Sequence, residues 1–153
     1  MKSIRPLLLS VAACATSVFI AGAADARTIP AAAGMPASLT APTGGQSLDD
    51  FAWLNTGLLA PNATSTSSRT WVIALPMDAP GLKFFVVKGT PSPSLSCLLE
   101  QRGTVQQSVA IPVSSVGTSP PAVLLDVVAG NTVVLRCTFT SSNGRLLLVD
   151  YTP

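Results

Sequence analysis

The sequence contains no histidine. That absence removes Ser-His-Asp and Cys-His nucleophilic sites, which need an imidazole to carry the proton. It also removes histidine-ligated zinc and copper centres. Charge is scarce, at 10% of residues, against about a quarter in an ordinary soluble domain. Lys and Arg form no cluster, so nothing offers the electrostatic footprint that nucleic acid requires. Aromatic residues make up only 5% of the chain. No Asp-x-Asp calcium loop, Walker motif or Gly-x-Gly-x-x-Gly is present. No CxxC pair is present either. No metal and no cofactor is expected.

The acids left for hydrolytic chemistry beyond residue 26 are Asp49, Asp50, Asp78, Glu100, Asp126 and Asp150. A hydrolytic pair must face across a gap of about 5–10 Å. Asp49 and Asp50 are neighbours in the chain and the others are scattered one per strand or turn, the pattern of solvated charges. The expectation is a protein that is not an enzyme, with a carboxylate-dependent hydrolase as the minor alternative.

What is present starts with a leader. Lys2 and Arg5 precede an apolar run from Leu7 to Ala23, which closes on Ala24-Asp25-Ala26. That three-part pattern reads as a secretory signal peptide over residues 1–26, cut between Ala26 and Arg27. A membrane anchor would need about 20 strongly apolar residues, whereas this run is rich in Ala, Ser, Thr and Gly. Val11-Ala12-Ala13-Cys14 also resembles a lipobox, which would leave the protein lipid-anchored through Cys14. Against that, the apolar run continues through Val18, Phe19 and Ile20. No later segment is long and apolar enough to span a bilayer, and the expected location is periplasmic or secreted.

Cleavage at that point changes two counts. Of three cysteines it removes Cys14 and leaves Cys97 and Cys137, an even pair that an oxidising compartment would join. The remaining charges are seven cations and six acids, a net charge of +1.

Residues 27–50 are rich in Ala, Pro, Gly, Thr and Ser, with prolines at 30, 36 and 42. They read as a flexible N-terminal segment leading into a single domain over 51–153. From Ser68 the texture changes. Apolar stretches at Arg69–Pro76, Leu82–Lys88, Leu95–Gln101, Val105–Val113, Ala122–Val128, Thr132–Thr140 and Arg145–Tyr151 recur between turn formers. That spacing predicts an all-β, antiparallel β-sandwich, Ig-like or jelly-roll-like, of about seven strands. Asn143-Gly144 is a two-residue hairpin signal and Gly130-Asn131 a weaker one, so the last three strands are expected to form a C-terminal meander. Leu95, Cys97 and Leu99 share one phase, as do Val133, Leu135, Cys137 and Phe139, which puts both cysteines on core-facing sides. A helix over Leu95–Gln107 is the competing reading, because Leu95, Leu98, Leu99 and Arg102 also have helical spacing.

Trp53, Trp71 and Tyr151 could stack on a sugar or a partner. Trp71, inside Trp71-Val72-Ile73-Ala74-Leu75, reads as core. Trp53 and Tyr151 are the candidate ligand contacts. Arg69, Arg102 and Arg145 could form a patch if the fold gathers them. Asn62-Ala63-Thr64 has the form of a glycosylation sequon, but the leader is bacterial in character.

The stretch Ser68-Arg69-Thr70-Trp71-Val72-Ile73-Ala74-Leu75-Pro76, followed by spaced cysteines and a strand near the end of the chain, resembles small exported bacterial β-rich proteins of unknown function. The resemblance covers roughly residues 55–153. It implies no activity and no site residues. The functional expectation is an exported, non-enzymatic binding module for a glycan, an envelope component or a protein partner. The alternative is a structural subunit of a surface fibre or envelope assembly, polymerising by strand addition.

Overall fold

A computed structural model describes residues 26–37, 48–54, 59–61 and 68–153. The leader positions Cys14 and Ala24, the sequon at Asn62 and residues 38–47 lie outside the described residues. Twelve strands are found among those described: β1 (Arg27–Pro30), β2 (Met35–Pro36), β3 (Phe51–Trp53), β4 (Leu59–Pro61), β5 (Arg69–Leu75), β6 (Gly81–Thr90), β7 (Leu95–Arg102), β8 (Gln107–Ile111), β9 (Val113–Ser115), β10 (Val123–Val127), β11 (Thr132–Phe139) and β12 (Arg145–Tyr151). Two 3-10 turns, Ala31–Ala33 and Leu48–Asp50, complete the regular structure. The protein is an all-β sandwich. Sheet A runs β10-β6-β12-β4-β3, with β1 also on β12 and β9 on β6; sheet B runs β2-β5-β11-β7-β8.

Period-2 alternation explains why these strands form and which way they face. On β7, Leu95, Cys97, Leu99 and Gln101 are buried while Ser96, Leu98 and Arg102 are exposed. On β11, Val133, Leu135, Cys137 and Phe139 are buried. Leu95–Arg102 is therefore a strand, not the first turns of a helix. The two inner faces meet in a core whose largest fully buried side chains include Trp71, Phe85, Phe139, Leu59, Ile73 and Leu99. Among the described residues the buried polar side chains are Lys83 and Gln101. Lys83 donates to the carbonyl of Pro153.

The expected C-terminal meander does not form. β10 and β12 both belong to sheet A, on opposite sides of β6, while β11 lies in sheet B between β5 and β7. Both presumed hairpin turns instead carry the chain across the sandwich. Asn143 and Gly144 lack the positive φ that a type I′ turn needs. Gly144 is there for space, because a Cβ on it would stand 2.4 Å from the Leu95 Cβ. A short turn signal reports a change of direction, and whether the next strand pairs or crosses is set by the packing of both sheets.

The predicted strand over 105–113 is split. β8 lies on the edge of sheet B, while β9 pairs parallel with β6 in sheet A, Val87 opposite Val113. Pro112 sits between them, and a proline cannot donate to a ladder.

The reading of residues 27–50 as a flexible lead-in is corrected for residues 27–36. β1 pairs antiparallel with β12, Arg27 opposite Tyr151 through Pro30 opposite Leu148. β2 pairs with β5, Met35 opposite Val72 and Pro36 opposite Trp71. The prolines do not prevent this, because both strands lie on sheet edges, where a missing donor is tolerated.

Candidate functional site

The richest grouping of polar side chains among the described residues lies on the outer face of sheet B. Glu100 on β7 stands opposite Val134 on β11 and Ser108 on β8. One step along, Arg136 stands opposite Leu98, which stands opposite Ala110. Arg136 Nε donates to Glu100 Oε1 at 2.7 Å, and Arg102 Nη2 donates to Oε2 at 2.5 Å. One carboxylate thus holds two guanidiniums, each with further N–H groups to offer. The Glu100 side chain is 14% exposed, that of Arg136 30% and that of Arg102 58%. Partial burial pushes the Glu100 carboxyl up. The hydrogen bonds from Arg136 and Arg102 outweigh that, and its pKa ends below the ordinary 4.5.

Glu100 and Arg102 line a shallow, open depression of about 210 Å³ with Gln106, Gln107 and Ser108, while Arg136 stands outside that lining, on the β11 side of Glu100. Its rim at residues 103–106 is held by Asn131. Asn131 Oδ1 accepts from Thr104 N at 2.8 Å and from Thr104 Oγ1 at 3.1 Å, and Nδ2 donates to the Val105 carbonyl at 2.9 Å. Leu98 is 37% exposed and forms an apolar ledge beside Arg136. The arrangement offers planar donors and acceptors at fixed spacing next to hydrocarbon.

The two candidate ligand contacts fare differently. Trp53 is 48% exposed, on the edge strand of sheet A. Its ring meets Trp71 edge-on, with centroids 6.1 Å apart. Trp71 in turn packs against Phe51 at 4.7 Å, and Phe51 reaches Phe139. Trp53 is thus the outer end of an aromatic train into the core. Trp71 itself is 2% exposed and is core. Tyr151 is corrected: it is 2% exposed, stacks on Phe85 and donates its hydroxyl to the Pro76 carbonyl at 3.0 Å. Val149 and Tyr151 share one phase of β12 and both are buried, and that phase was the available signal.

Cys97 and Cys137 form a disulfide between directly opposed residues of β7 and β11, inside one sheet. Of the predicted cleavage site, Ala26 and Arg27 are described; Arg27 begins β1 and pairs with Asp78 at 2.6 Å. The imagined patch of Arg69, Arg102 and Arg145 is not assembled. Arg69 pairs with Asp50 on β5's side of the fold, and Arg145 opens β12 in the other sheet. The fold gathers Arg102 with Arg136 instead. Sequence phase puts Glu100 with Arg102 and puts Arg136 facing outward, but only the β7–β11 register joins them.

Glu100, Asp50 and Asp78 each lie against arginine, and Asp150 accepts from the Thr28 hydroxyl. No group of three or more metal-ligating side chains occurs among the described residues. No helix among them is long and apolar enough to cross a membrane.

No family model and no curated protein matches this chain. It is similar to the crystal structure of a GH26-CBM35 β-(1,4)-mannanase from Podospora anserina, at 11% sequence identity and a TM-score of 0.46. That similarity covers 84% of this chain, and the chain spans 27% of the mannanase's length.

Proposed function

We propose that the protein is a non-catalytic, extracytoplasmic binding module that takes a glycan on the outer face of sheet B. The observation that carries this reading is the open depression lined by Glu100, Arg102, Gln106, Gln107 and Ser108, with Arg136 and the exposed Leu98 beside it on the same face of sheet B. Sugars are recognised by such a mixture: fixed polar groups meet hydroxyls, and an apolar surface meets the C–H face of the ring. The two guanidiniums are pre-positioned by their shared carboxylate, which lowers the entropy lost on binding. A non-catalytic role is supported by the acids, because Glu100, Asp78 and Asp150 line three separate hollows. An extracytoplasmic location is supported by the disulfide and by the leader.

A glycan-array screen followed by titration calorimetry tests the reading. A charge-assisted hydrogen bond is worth about 1.5–3 kcal/mol, so Arg102→Gln should weaken the best ligand roughly tenfold to a hundredfold, with unchanged circular dichroism. Absence of binding above background, or binding lost with Trp53→Ala and untouched by Arg102→Gln, would move the site off this face.

A further inference from the structure

We infer that residues 27–36 form an exchangeable strap, and that the channel they fill accepts the same segment of a second copy of this chain. The strap closes one side of the sandwich. β1 completes sheet A on the outer edge of β12, the chain turns through Ala31–Ala33, and β2 completes sheet B on the edge of β5. A single ten-residue stretch thus covers free edges of both sheets. Left open, each would present a row of unpaired N–H and C=O groups.

The channel is specific for this stretch. Ala31 is fully buried, and its carbonyl accepts from Trp71 Nε1 at 2.9 Å. Gly34 lies flush on the same indole: a Cβ there would stand 2.3 Å from Trp71 Nε1 and 2.6 Å from the Val72 carbonyl oxygen. Ala37 N donates to the Thr70 carbonyl at 2.9 Å. The N-terminal end is latched by Arg27 to Asp78 at 2.6 Å and by Thr28 Oγ1 to Asp150 at 2.5 Å.

Each of these partners, on β5, on β12 or at Asp78, is more than 30 residues away in sequence. The strap makes its fixed contacts with the body of the fold, so the body of another copy offers the same set. Residues 38–47 join the strap to the next described turn, and ten residues reach at most roughly 35 Å. Reciprocal exchange then gives a closed two-fold pair in which every contact is conserved. Because the contacts are equal in the two forms, concentration decides between them by mass action.

Two full-length variants carrying different affinity tags test this. Thr28→Cys is placed in one and Asp150→Cys in the other, positions that face each other across β1 and β12. The two are unfolded, mixed, refolded together and oxidised. Exchange predicts a 28–150 linkage between the differently tagged chains, identified by mass spectrometry, which rises roughly in proportion to protein concentration during refolding. Gly34→Leu added to the Thr28→Cys chain should abolish it. Light scattering on the unmodified chain should show a dimer after refolding at high concentration and a monomer at low. No 28–150 linkage at any concentration, with only monomer in the scattering, overturns the proposal. Linkage undiminished by Gly34→Leu also overturns it, because it would report non-specific association.

Discussion

Glu100 and Gln101 are adjacent and do opposite work. Glu100 points out and holds two arginines. Gln101 points in, 1% exposed, and reaches from sheet B to sheet A, donating to the Asp126 carbonyl at 3.2 Å and accepting from Val128 N at 2.7 Å. Gln101→Leu would remove the side-chain partner of both partly buried backbone groups, which costs about 1–3 kcal/mol. Urea unfolding should show that loss at an unchanged m-value. For Glu100 the pH dependence has a definite sign. Its folded pKa lies below 4.5, so its stabilisation is present above the unfolded value and is lost as pH falls through the folded one. The stability difference between the wild type and Glu100→Gln should therefore be constant near neutrality and shrink below about pH 4.5; a difference that grows on acidification would contradict the ion-pair account. Gln101 was legible as core from its phase with Leu95, Cys97 and Leu99. Its bridging role was not, because β10 had no assigned place opposite it.

At the scale of elements, the disulfide ties strands that are already neighbours, and its effect lies chiefly in the unfolded chain. With the cysteines 40 positions apart in sequence, chain entropy predicts a contribution of about 4 kcal/mol. Cys97→Ala with Cys137→Ala should lower the unfolding free energy toward that amount while keeping the β-sheet circular dichroism signature. The seven longer strands were visible in the sequence because most of them bury one phase of apolar residues; β8 buries only Ile111, and a bulge between Leu146 and Leu148 breaks the phase of β12. The five short ones, β1 to β4 and β9, span two to four residues each, too few for a period of two to stand out. The strands β1 and β2 were further disguised by their prolines and small residues, which suit an edge as well as they suit a loop.

At the scale of the molecule, hardly any pairing is local. β6 pairs with β9, β10 and β12, and β11 with β5 and β7. Chain closure must therefore precede most of the native pairing, and such topologies fold in roughly milliseconds to seconds. Stopped-flow fluorescence should find relaxation in that range, reported mainly by buried Trp71. A microsecond phase carrying the full amplitude would conflict with this topology. The outer face of sheet A is the counterpart to the polar face of sheet B: Leu82, Phe84 and Leu124 are each about half exposed there, and Phe84 stands opposite Leu124. The two faces of the sandwich thus differ in chemistry, although the chain as a whole is nearly neutral.

The sequence by itself determined the β-rich class, the inward phase of the long strands, the readiness of Cys97 and Cys137 to pair, and the exclusion of imidazole chemistry. Those properties are local, set by composition and a two-residue period. The tertiary structure alone decided that β10, β11 and β12 alternate between sheets, that residues 27–36 belong to both sheets, that Tyr151 is core, and that Arg136 meets Glu100 and Arg102. Each of these depends on register between strands distant in sequence, which is settled by the packing of two whole faces against each other.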